Sequence, residues 1–275
     1  MTAITVIAIL AAVATIYGFV AMDSCERIKV APKGKKKKYQ VQEVPETGIL
    51  FMVIMAVALI VRYIAAAKYF GNETDMNCFI AWGDMIFKDG IGNFYSSDSF
   101  TDYPPGYMYI LYMVGAIRHV LGVAWNSTLS VMLTKTPAII ADLATAYLLF
   151  RIAGKRWTQK GAGILTAIYL FAPAVLLDGA IWGQTDAVFT FFVVLMIYLV
   201  TERKLIPSYF VFAVAVLVKP QSLIFTPVLI YGIIDQVFLD GFDWKNFWKN
   251  LGLGLAAIAM IALLMLPFGF KDALS

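Results

Sequence analysis

Several apolar runs approach twenty residues, and they narrow the fold more than any single motif does. An α-helix rises about 1.5 Å per residue, so roughly twenty apolar residues match a hydrocarbon core of about 30 Å. Inside that core every backbone N–H and C=O must find a partner within the protein. Long runs without period-two alternation find it as helices, not as barrel strands. With 61% hydrophobic residues, an ordinary soluble enzyme is excluded and the fold class is all-α, a polytopic helical membrane protein. Nothing in the composition points to nucleic acid.

The runs predict spans at about Ala3 to Ala21, Gly48 to Lys68, Leu129 to Phe150, Ala162 to Leu177, Val188 to Val200, Leu205 to Val218, Leu223 to Leu239 and Leu251 to Pro267. Two are short for a full crossing, which suggests tilted, broken or loop-extended helices. The run Tyr107 to Leu121 is ambiguous, because its length falls short of the core. Charge decides it. Arg27, Lys29, Lys33 and Lys35 to Lys38 mark the first connection as cytoplasmic. If Tyr107 to Leu121 lies along the surface, three further basic loops also fall inside: Arg151 to Lys160, Arg203 with Lys204, and Lys245 with Lys249. A crossing would turn all three outward, so the surface-lying reading is preferred.

In that topology the linker of roughly thirty-five residues after the second span is external, and loops of such length are usually functional or disordered. Trp82, Phe87, Phe94, Tyr95, Phe100 and Tyr103 argue against disorder. Asp75 and Asp102 lie in it, and the segments Trp182-Gly183-Gln184-Thr185-Asp186 and Lys219-Pro220-Gln221-Ser222 emerge on the same face. Each segment also has a plainer reading. Asp102 before Tyr-Pro-Pro can open a turn, Trp182 can anchor at the interface, and Lys219 can snorkel to headgroups. Gln184 and Asp186 are harder to dismiss, because a carboxylate beside an amide at a span's edge calls for a polar cavity. Asp142 and Lys135, within one span, are intramembrane charges for which function and helix pairing are equally good readings. His119 is expected at the interface. Cys25 and Cys78 fall on opposite membrane faces, which excludes a disulfide between them. No Asp-x-Asp motif and no Cys/His cluster at zinc spacing occurs, so neither a metal nor a cofactor is expected.

The order of these motifs resembles the membrane-embedded glycosyltransferases of the C-type fold, with the nearest likeness to bacterial relatives of the mannosyltransferases of GPI-anchor assembly. The likeness runs from about Gly48 to the C-terminus. It implies a module of seven spans with surface-lying helices in the first external loop. Residues 1–47 then form an extra N-terminal helix and Lys-rich cytoplasmic loop, and residues 48–275 form the module, expected to be C-terminally truncated because relatives continue with further helices. The implied reaction transfers a mannose-like hexose from a polyprenyl-phosphate donor to a lipid or glycan hydroxyl on the external face of the cell membrane. Asp75 matches the general base. Asp102, Tyr103, Trp182, Gln184, Asp186, Lys219 and Gln221 match substrate-binding positions, with Lys219 suited to the leaving phosphate. Two other classes fit the residues: a non-catalytic membrane subunit, which would tolerate loss of Asp75, and a lipid or sugar transporter.

Overall fold

The computed structural model describes residues 48–95, 100–239 and 241–269. The expected first span, the Lys-rich loop and Cys25 lie outside them. The chain is all-helical: α1 (Ile49–Lys68), α2 (Glu73–Asp89), α3 (Pro105–Val120), α4 (Thr128–Ala153), α5 (Gln159–Phe171), α6 (Pro173–Trp182), α7 (Asp186–Thr201), α8 (Leu205–Val218), α9 (Thr226–Val237) and α10 (Trp244–Met265). It is a helical membrane protein. Among the described residues α1, α4 and α10, with the turn that extends it, are each long and apolar enough to cross a membrane. A fourth such span is formed by α5 and α6, bent by 49° at their junction.

The bend has a local cause. Pro173 has no N–H for the preceding turn, so it ends α5 and opens α6. The helix then continues as a π-helical stretch over Leu176–Trp182. Gly183 ends it at φ 92°, a left-handed conformation that favours glycine. The expected span at Ala162 to Leu177 is therefore a broken helix reaching five residues further. The last expected span also begins earlier, because the Asp243 carboxylate accepts the Asn246 N–H at 3.0 Å and caps α10 there.

Two ends of the bundle are defined by contacts. At one, Lys155 pairs with Glu202, Arg203 lies 3.5 Å from Asp235, and Asn246 donates to the Gln236 carbonyl at 3.3 Å. These contacts gather the end of α4 and those of α7, α9 and the start of α10. At the other, Lys135 in α4 reaches Tyr69 just after α1 and the last turn of α6, while Lys219 after α8 meets Asp186 at the start of α7. The three basic loops among the described residues lie at the first end, which the positive-inside rule makes the inner one.

This arrangement settles α3. It begins at the outer end, where Gly106 lies against the Leu217–Val218 backbone. Only a few residues after it finishes, α4 starts at that same end. Both ends of α3 therefore lie on one side, and it does not cross. Instead α2 and α3 form an antiparallel hairpin on an aromatic and aliphatic core that includes Met76, Phe79, Trp82, Ile86, Tyr107 and Leu111. The described parts of the long linker are packed against this hairpin. Trp82 donates to the Phe100 carbonyl at 3.0 Å and Tyr95 to that of Tyr103 at 2.8 Å, which pins the connection back onto the hairpin.

The hairpin closes where Gly83 meets Gly115. A Cβ on Gly115 would sit 2.3 Å from the Gly83 carbonyl oxygen, which is backbone and has no rotamer to escape through. Gly115→Ala is accordingly expected to lower stability by about 1–3 kcal/mol, the usual range for overpacking. Thermal unfolding in detergent checks this, and an unchanged midpoint would mean that the two helices are not in contact.

Buried charge ties the spans together. Arg62 of α1 is fully buried and donates to Asp142 of α4 at 3.1 Å and to the Leu170 carbonyl of α5 at 2.8 Å. Tyr169 donates to the other Asp142 oxygen at 3.3 Å. Of the two readings open for Asp142, pairing with a neighbouring helix is the one observed. Lys135, two turns earlier, turns elsewhere.

Candidate functional site

The outer end holds the site. Asn72 caps α2 by accepting the Asp75 N–H at 3.1 Å, which sets Asp75 in the first helical turn. Its Oδ2 accepts two hydrogen bonds from the segment that follows α6: the Trp182 indole N–H at 3.2 Å and the Gln184 amide at 2.5 Å. The left-handed Gly183 makes this chain reversal, and a Cβ there would strike the Met76 sulfur at 2.4 Å. The Gly183 and Gln184 N–H groups both return to the Asp178 carbonyl at 3.0 Å. Trp182 in turn accepts the Asn72 N–H at 3.0 Å through its carbonyl, joining the two strands of the site.

Lys135 holds this segment from beneath. Its ammonium donates to the carbonyls of Tyr69 at 2.8 Å, Ala180 at 3.2 Å and Ile181 at 2.8 Å. The last carbonyls of a helix have no intrahelical partner, and three of them are satisfied here by one cation. In the sequence Lys135 reads only as an intramembrane charge. Its partners are backbone atoms, which no residue type advertises.

A second group stands beside the first. Lys219 pairs with Asp186, with its Nζ 5.9 Å from the Tyr103 ring centre and 5.5 Å from that of Phe189. Thr185 bonds the Tyr103 hydroxyl at 3.4 Å, and that hydroxyl lies a long 3.5 Å from Gln184 Oε1. Burial raises the Tyr103 phenol above its ordinary pKa, against the lowering effects of Thr185 and Lys219. Burial likewise raises the Cys78 thiol, and the Asp102 and Asp75 carboxylates push it in the same direction.

Six of the expected positions therefore converge: Asp75, Tyr103, Trp182, Gln184, Asp186 and Lys219. Two do not join the hydrogen-bonded network. Asp102 is exposed at the rim and acts on Tyr103 only through its charge. Gln221 is exposed on a 3₁₀ turn, while its neighbour Ser222 is buried and donates to the Ala215 carbonyl at 2.9 Å. Among the described residues no group of three or more His, Cys, Asp or Glu is placed to hold a metal ion. A groove of about 360 Å³, lined by Tyr69, Phe70, Gly71, Asn72, Ile181 and Trp182, opens next to Asp75. Half of the Trp182 surface is exposed there.

Fold and site define a multi-pass all-α membrane protein with a polar, aromatic-walled cluster at its outer end. Residues 83–274 match the family described as GPI transamidase subunit PIG-U, and the chain belongs to that family. No curated protein matches it. The expected link to the membrane machinery of GPI anchors holds at that level. The finer expectation does not: a transamidase subunit is not a mannosyltransferase or any polyprenyl-phosphate-sugar glycosyltransferase, so the transfer reaction is withdrawn, with its sugar donor and its hydroxyl acceptor. Lys219 is paired with Asp186. The expected alternative of a non-catalytic membrane subunit fits the family better.

Proposed function

We propose that the chain is a non-catalytic subunit of a GPI-transamidase-type membrane assembly, and that its outer-end cluster receives part of the lipid anchor. The observation that carries this reading is the adjacency of Asp75, with two donors on one oxygen, to a largely apolar groove walled by Trp182. An anchor lipid has an apolar tail and a hydroxyl-rich head, and such ligands suit apolar pockets with a few well-placed polar groups. Tyr103, Asp186 and Lys219 would shape the far wall, with Asp102 and Gln221 at the rim. Residues 48–275 would form the working module and residues 1–47 an accessory N-terminal segment. Its membrane is the one that houses the anchor machinery, in place of the expected cell membrane.

Binding of a photoactivatable glycosylphosphatidylinositol to the full chain in nanodiscs tests the reading. Trp182→Ala and Asp75→Asn are each expected to weaken labelling by about ten- to a hundredfold, in line with loss of roughly 1.5–3 kcal/mol for a contact to a charged group. Equal labelling of wild type and both variants would show that the anchor does not sit there.

A further inference from the structure

At the inner end, the turn between α9 and α10 carries rings that the rest of the fold leaves uncovered. Phe238 packs on Phe242 with centres 5.3 Å apart, Phe242 on Trp244 at 4.8 Å, and Phe247 on Trp248 at 5.4 Å. Despite these contacts Trp244 and Trp248 expose 65% and 61% of their surface. They stand one turn apart on α10, and exposed Leu251, Leu255 and Ile258 continue the same face at spacings of three and four residues.

That continuity says what the face meets. Little of this span is buried within the protein, so the stripe above Trp248 is free to meet acyl chains. Its tryptophan end then falls where hydrocarbon gives way to headgroups, the depth that indole rings favour.

Charge adds the identity of the headgroup. Lys245 and Lys249, also one turn apart, are exposed and make no ion pair among the described residues. A recess of about 600 Å³ opens beside them, with Asp235, Asp243 and Lys245 in its wall. Asp235 faces Arg203 at 3.5 Å, and Asp243 is held at the helix start by the Asn246 N–H and side chain, each at 3.0 Å. Lys245 is left as the cation turned to the recess without an acidic partner among the described residues. We propose that this turn is a binding site for anionic phospholipids of the inner leaflet, the rings seated in the interface and Lys245 and Lys249 on the headgroup phosphates. The inference is independent of the outer-end site. Lysines near a charged bilayer are worth roughly fivefold each in local lipid preference.

Brominated lipids test it, because bromine quenches only tryptophans it touches. The full chain is placed in phosphatidylcholine nanodiscs containing brominated phosphatidylglycerol or, at equal mole fraction, brominated phosphatidylcholine. The signal of Trp244 and Trp248 is the difference between wild type and Trp244→Phe/Trp248→Phe. The anionic lipid is expected to quench several-fold more effectively. Lys245→Gln/Lys249→Gln is expected to bring the two lipids level while quenching by brominated phosphatidylcholine persists, and the double arginine variant to keep the preference. Equal quenching of the wild type by both lipids would overturn the proposal. No quenching by either would also overturn it and leave the rings to a protein partner. All four side chains are exposed, so the variants do not disturb the core.

Discussion

Asp142→Ala is expected to cost about 3–5 kcal/mol of stability, the usual penalty for removing one member of a buried ion pair. Arg62 has no exposed surface, and a guanidinium stays charged, so it cannot escape the loss of its partner by giving up a proton. Its remaining bonds, to the Leu170 carbonyl at 2.8 Å and the Ala58 carbonyl at 3.5 Å, do not compensate a full charge in an apolar setting. Because the pair joins α1 to α4 and the carbonyl belongs to α5, three spans loosen together. Arg62→Met/Asp142→Leu separates charge from packing. It is expected to regain most of the lost stability, since apolar replacement of a whole buried pair is often neutral or better. Thermal unfolding of the purified protein in detergent measures both variants. A single variant as stable as wild type would mean that the pair is hydrated, not buried.

Lys135→Met carries the second largest expected effect, about 3 kcal/mol, because it strands three carbonyls at once and an unsatisfied buried group costs about 1–3 kcal/mol. Methionine fills much of the space left by the lysine stem, so the loss reports mainly on hydrogen bonding. The damage should also be local. Tyr69 precedes Asn72, and Ala180 and Ile181 precede Trp182, so both strands that meet at Asp75 lose their support. Hydrogen exchange of the Gly183, Gln184 and Asn72 amides, bonded to the Asp178 and Trp182 carbonyls, is expected to quicken by tenfold or more. Amides of α10 should stay protected. Uniform acceleration across the bundle would assign Lys135 a general role in stability instead of a local one at the site.

Most of the helical inventory was legible from hydropathy. The expected spans at Gly48 to Lys68 and Leu205 to Val218 fall on α1 and α8, and the surface-lying reading of Tyr107 to Leu121 matches a helix that starts and ends on one side. Less legible were the break at Pro173 and the early start of α10, because both depend on local capping and not on apolarity. The convergence of Trp182, Gln184 and Asp75 was anticipated only as three motifs on one face. Their bonds join positions 107 and 109 residues apart, and no local pattern encodes such a pairing. The reaction is not legible in the sequence for a related reason. Acidic, aromatic and amide residues around an outer cavity serve binding as well as catalysis, so the motif set alone does not decide between them.

The sequence by itself determined that this chain is a helical membrane protein, which way its basic loops face, and which polar residues stand at its outer surface. These follow from local quantities: the transfer free energy of about twenty consecutive side chains, and the bias of lysine and arginine to one side of the bilayer. Only the tertiary structure decided that Arg62 answers Asp142 across 80 residues, that Lys135 serves carbonyls and not a carboxylate, and that Lys219 is committed to Asp186. A charge buried among helices takes whichever partner the packing brings within about 3 Å. That choice is made by the assembled bundle, not by any one stretch of chain.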